Sequence, residues 1–257
     1  MSERSETPFA PIPERGRDAE SVPREIEVKI VNLGDPQAFL QRIVDAGGEL
    51  VVDRRLLHDE DFKLPKDPSA ISRPEQFPVA KAAVQDAEQL KAVLAYLGVS
   101  VAEENDDAIV FRNPAEPVTR TVRIRQDGGA VILTVKDKRT KGVAIDDRAE
   151  MEVPFTDAGA SASVVAQTGY VPKSVKEKYR TTYALGGAHV ELNEGPEAPP
   201  WAEVEGLDEQ TVRDTVNRLG YLPEETAAIS DTTYYRSHGI PEERIRSMVF
   251  EERDTTT

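Results

Sequence analysis

The chain has 257 residues, a net charge of −15 and no cysteine. Such a surface repels nucleic acid and anionic membranes, so an anionic ligand needs a local basic site. Disulfides, thiolate chemistry and cysteine zinc sites are excluded, and no apolar run reaches the ~18 residues of a membrane span, so a cytoplasmic protein is expected.

Residues 1–23 are rich in Ser, Glu, Arg and Pro without an apolar stretch, and read as a disordered tail rather than a signal peptide. From Glu25 to Ile30 charged and apolar residues alternate, the period of a strand. Asp35 then opens a helix, with Pro36 at its first position and Phe39, Leu40, Ile43 and Val44 on one face before Gly47. The same spacing of Asp to Gly recurs at Asp86 to Gly98, Asp157 to Gly169 and Asp208 to Gly220. Asp accepts the orphan N–H groups of a first turn, and Gly takes the left-handed position past a last turn. The repetition is that of helix capping, not of a duplicated unit. The stretch 66–117 holds the Asp86 helix and an Ile109-Val110-Phe111 strand.

Alternation returns beyond residue 117. Arg123 and Arg125 oppose Val122 and Ile124, and Gly128-Gly129 marks a hairpin into a strand where Thr134 and Lys136 oppose Leu133 and Val135. Arg148, Glu150 and Glu152 alternate with Ala149, Met151 and Val153. Lys178 shares a face with Arg180, and His189, Glu191 and Asn193 oppose Ala188, Val190 and Leu192. Glu203 and Glu205 flank Val204. One such strand reads as a solvated sheet face. The set reads differently, because the apolar helix stripes need a sheet surface to cover. If they cover the apolar faces, a closed sheet collects the charged faces inside. That predicts a sheet closed into a barrel, with a charged interior and helices packed outside. Such an interior is costly to bury dry, and makes sense as a wet tunnel for a polyanion and metal ions.

The ordered motifs resemble the CYTH domain family, the triphosphate tunnel metalloenzymes. Glu25-Ile26-Glu27-Val28-Lys29 is similar to the ExExK that opens such domains, and Asp59-Glu60-Asp61-Phe62-Lys63-Leu64-Pro65 to their acidic strand. Arg123/Arg125, the TVK ending at Lys136, Arg148/Glu150/Glu152, Lys178/Arg180 and Glu203/Glu205 follow in family order. Thr233-Tyr234-Tyr235-Arg236 resembles the C-terminal tyrosine segment of class IV adenylyl cyclases. Two positions depart from the pattern: Lys63 stands where relatives often carry Asp, and Asn193 where they carry an acid. The resemblance spans residues 24–240, with an insertion at about 66–117, and leaves 241–257 as a C-terminal tail.

The resemblance implies an α+β fold, an eight-stranded antiparallel β-barrel (tunnel) with a charged interior and helices packed outside, and a divalent-metal-dependent triphosphatase acting on a small inorganic or organic triphosphate. The alternatives are a class IV adenylyl cyclase making cyclic AMP from ATP and a non-catalytic polyphosphate-binding module. Lys29, Arg123, Arg125, Lys136, Lys178 and Arg180 are expected to bind the phosphates, since Lys supplies charge and Arg adds bidentate geometry. Glu25, Glu27, Glu203 and Glu205 are expected to hold Mg²⁺ or Mn²⁺, which take hard oxygen ligands. Catalysis is expected to fall on Glu25, Glu27, Lys29, Lys136 and Arg180. Arg148, Glu150, Glu152, Glu191 and Asn193 are second choices, with Arg148 orienting carboxylates. His58, His189 and His238 are too scattered for a metal triad, and Trp201 and the tyrosines read as packing residues. GxxxxGK[ST] and GxGxxG are absent, which excludes P-loop and Rossmann readings. No nucleic-acid or membrane partner is expected.

Overall fold

The structure, a computed structural model, describes residues 22–67, 73–137 and 142–251. Most of the tail expected at residues 1–23 and the last six residues lie outside the described residues. In chain order the elements begin with β1 (Arg24–Ile30), α1 (Pro36–Asp45), β2 (Glu49–Lys63), β3 (Gln76–Ala80), α2 (Ala87–Tyr96), β4 (Ser100–Glu104) and β5 (Ala108–Arg112). They continue with β6 (Thr121–Asp127), β7 (Ala130–Lys136), β8 (Asp146–Phe155), α3 (Ala158–Gln167), β9 (Val171–Leu185), β10 (Ala188–Glu194), β11 (Trp201–Gly206) and α4 (Glu209–Arg218). The chain ends with β12 (Thr226–Ala227), α5 (Asp231–Ser237), α6 (Glu242–Ile245) and β13 (Ser247–Met248).

Capping sets the helices. The side chains of Asp35, Asp86, Asp157 and Asp208 accept from the N–H groups of Ala38, Gln89, Ala160 and Thr211 at 2.7–3.0 Å. Gly98 ends its helix at φ +77°, where a Cβ would also press on Val118. All four Asp-to-Gly segments are helical, including the Asp157 segment, which is poor in large apolar residues.

Eight antiparallel strands close into a barrel in the order β10–β11–β1–β8–β7–β6–β2–β9, and β9 returns to β10. The barrel is apolar outside and charged inside. Val28, Ile30, Val190, Leu192 and Val204 are buried in one outer core with residues of α1 and α4. Val122, Ile124, Leu133, Val135 and Val153 are buried in a second with residues of α2 and α3. Burying one such side chain stabilises the fold by roughly 1.5–3 kcal/mol, so helix packing fixes which strand face turns outward. Among the described residues no helix is long and apolar enough to cross a membrane.

The segment read as an insertion forms its own sheet, β3–β5–β4, beside α2. It is not a detached unit. Phe77, Val79, Leu90, Leu94, Ile109 and Phe111 share one core with the outer faces of β6 and β7, and the Gln85 N–H donates to Pro154 O. Part of the expected C-terminal tail is also built in. α6 and β13 lie within it, and Ile245 and Met248 are buried with Trp201, Tyr234, Tyr235 and Ile240. These apolar residues lacked a strand or helix period long enough to read.

Candidate functional site

The strand register carries every expected site residue into the barrel interior, where the charges fall into linked groups. Near the end capped by α5, Lys29 pairs with Glu203 and lies 3.0 Å from Asp231. Lys178 lies 3.3 Å from Asp231 and 3.9 Å from Glu203. Arg180 reaches Glu191 at 2.5 Å and Glu203 at 2.6 Å. Asn193 is fully buried and accepts from Arg180 Nε at 2.9 Å. It orients the guanidinium.

Across the lumen, Lys136 bridges Glu25 and Glu150, each at 2.6 Å. Arg148 lies 3.7 Å from both Glu25 and Glu27 and 2.9 Å from Asp146, the geometry of a carboxylate-orienting cation. Arg123 approaches Glu150 at 3.9 Å, and Thr134 Oγ1 donates to Glu152 at 2.8 Å. On the third side, Arg125 makes two parallel hydrogen bonds to Asp59, at 2.7 and 2.8 Å, and Lys176 lies 2.5 Å from Asp61.

Electrostatics separates the carboxylates. Burial acts to raise the Glu203 carboxyl, but Lys178, Lys29 and Arg180 overcome it and hold it well below the usual range. Asp59 is also held far down, with Arg125 outweighing burial. Glu205 goes the other way: burial and the facing Glu191, Glu25, Glu150 and Glu27 push it up to about 9. Lys178 is lowered by burial, aided by Arg180 and Arg125, despite Asp231 and Glu203. Among the described residues no three acidic or histidine side chains form a ready metal cage.

Asp59, Asp61, Lys176 and Asp231 also carry charge into the interior, although none of them was among the expected site residues. Alternation along β2 and along Lys176, Lys178 and Arg180 in β9 carried the signal for the first three. Asp231 carries none, because it enters from the first turn of a helix outside the barrel. Lys63 is exposed at the end of β2. His58 lies 3.1 Å from Glu177, His238 packs on Tyr234, and His189 is exposed, so the three histidines stay apart.

The sequence profile of the CYTH domain matches residues 79–222. No curated protein matches the chain. Among solved structures, the PH1012 protein of Pyrococcus horikoshii OT3 superposes with a TM-score of 0.53 at 17% identity, over 80% of this chain and 96% of its own. A conserved hypothetical protein of Pyrococcus furiosus gives 0.52 at 15% identity, over 80% and 97%. A protein described provisionally as an adenylate cyclase of Vibrio parahaemolyticus gives 0.53 at 12% identity, over 84% and 99%. At these identities the likeness is one of fold. With the profile covering more than half of its length and the closed eight-stranded tunnel around it, the chain belongs to the CYTH domain family.

Proposed function

We propose that the tunnel binds a small triphosphate together with Mg²⁺ or Mn²⁺ and hydrolyses it. The observation that carries this reading is the convergence of Lys29, Arg123, Arg125, Lys136, Lys178 and Arg180 inside one barrel. A triphosphate carries about four negative charges, and phosphoryl transfer is chiefly positioning and charge stabilisation. Without ligand these cations pair with wall carboxylates, and the incoming phosphates exchange for those pairs. Arg180, fixed by Asn193, offers a preoriented fork. Lys178 holds its proton least firmly among the buried lysines of the tunnel, which suits it to protonate the leaving phosphate oxygen.

The donor set fits a hard divalent ion. Glu205, Glu25 and Glu27 lie on the carboxylate-rich side, where the raised Glu205 registers a charge excess that a cation would relieve. Glu203 is engaged by Lys29 and Arg180 and is the weakest of the four expected ligands. Mg²⁺ uses few protein carboxylates and completes its shell with water and substrate phosphates, so a ready cage is not required. When bound, the ion neutralises phosphate oxygens and lowers the pKa of water.

One observation favours hydrolysis over the cyclase. Tyr234 and Tyr235, the segment that suggested a cyclase, are buried against Trp201 and offer no face to a base. A product screen with ATP, thiamine triphosphate and tripolyphosphate, each with Mg²⁺ or Mn²⁺, tests the reading. Metal-dependent phosphate release is expected. Cyclic AMP would instead support the cyclase, binding without turnover the module, and full turnover in EDTA would contradict the metal requirement.

A further inference from the structure

We propose that Asp231 is a length stop: its carboxylate closes one end of the tunnel, so that a triphosphate fits and a longer phosphate chain does not. The inference rests on the triphosphate reading of the tunnel. The other interior residues named above belong to barrel strands, whereas Asp231 is supplied by α5. Its carboxylate contacts Lys29 Nζ at 3.0 Å and Lys178 Nζ at 3.3 Å. An anionic group between two ammonium groups occupies the place a further phosphoryl group would take. A chain held by Arg123, Arg125, Lys136 and Arg180, with its end phosphate sharing Lys29 and Lys178 with Asp231, therefore meets at this end a like charge instead of open solvent.

The stop is fixed, not a swinging lid. Tyr234 and Tyr235, three and four residues on, are essentially fully buried, with ring centroids 5.0 and 5.8 Å from that of Trp201. The Tyr234 hydroxyl donates to Pro199 O at 3.0 Å, and Ser230 Oγ caps the helix by accepting from the Thr233 N–H at 3.2 Å. Farther along, Ser247–Met248 pairs with Val175–Lys176 of β9. Withdrawing Asp231 would unpack this aromatic cluster, so a ligand must end short of the carboxylate. The acid also suits its place in the first turn, where the helix favours negative charge.

The test is calorimetric binding of tripolyphosphate and of a long linear polyphosphate to the full chain, compared with Asp231→Asn and Asp231→Ala. Wild type should prefer tripolyphosphate per binding event by roughly tenfold, the scale of one close like-charge repulsion. Asp231→Ala, which removes charge and bulk, should bring the two affinities together. Asp231→Asn, which keeps the shape and the helix position, should do so in part. Thermal unfolding checks that each variant is folded, and the Asn variant decides the matter if the Ala variant is not. Equal affinities in wild type, or a preference unchanged in a folded variant, overturn the stop while leaving the triphosphate reading intact. Failure of wild type to bind tripolyphosphate overturns both.

Discussion

Replacing Glu205 by Gln probes the carboxylate-rich side of the tunnel with little change of shape. In the folded chain burial and four neighbouring carboxylates push Glu205 up to about 9, from an ordinary value of 4.5. The folded state therefore keeps a proton that the unfolded state releases between those values. Stability then falls as pH rises, by about 1.4 kcal/mol per pH unit for one such proton. Urea unfolding in EDTA, from about pH 5 to about pH 8, reads this slope directly. The Gln variant should lose it and gain most over wild type at the alkaline end. Glu25, also raised by burial, leaves a residual slope of the same sign. Mg²⁺ should stabilise wild type more at pH 8 than at pH 6, since it displaces the proton, and the variant should lose that difference. Parallel slopes for the two proteins in EDTA would refute the reasoning.

Arg180→Ala removes a fork that reaches Glu191 and Glu203. It should weaken tripolyphosphate binding by about 1.5–3 kcal/mol, and wild-type affinity by calorimetry would remove Arg180 from the binding set. Deleting residues 66–117 with a short Gly-Ser bridge should abolish cooperative thermal unfolding, because Val122, Ile124, Leu133 and Val135 would lose the cover of α2 and the small sheet. A cooperative transition at the wild-type midpoint would show that the barrel stands without it.

The barrel was legible because two periods agree. Strand alternation at Glu25–Ile30, Val122–Arg125 and Leu133–Lys136 sorts charge from apolar residues, while the helix stripes after Asp35 and Asp208 supply a cover for the apolar side. The four capped helices were legible because Asp and Gly bear local geometry that tertiary packing does not override. What escaped depends on distant partners. The segment around Phe77 and Phe111 reads as separate along the chain because its core contacts come from β6, β7 and β8. Asp231 sits in a short helix whose place is set by Trp201, thirty residues earlier. The division between Glu203 and Glu205 was equally hidden, since neighbours on one strand face differ only in what faces them across the lumen.

The claim that the tunnel is a triphosphate site is tested most directly by titrating tripolyphosphate into the purified chain in a calorimeter, with Mg²⁺ and with EDTA. The account predicts saturable one-to-one binding that weakens with added salt, is strengthened by the metal, and is not matched by orthophosphate. Absence of saturable binding under both conditions, or equal binding of orthophosphate, would contradict it.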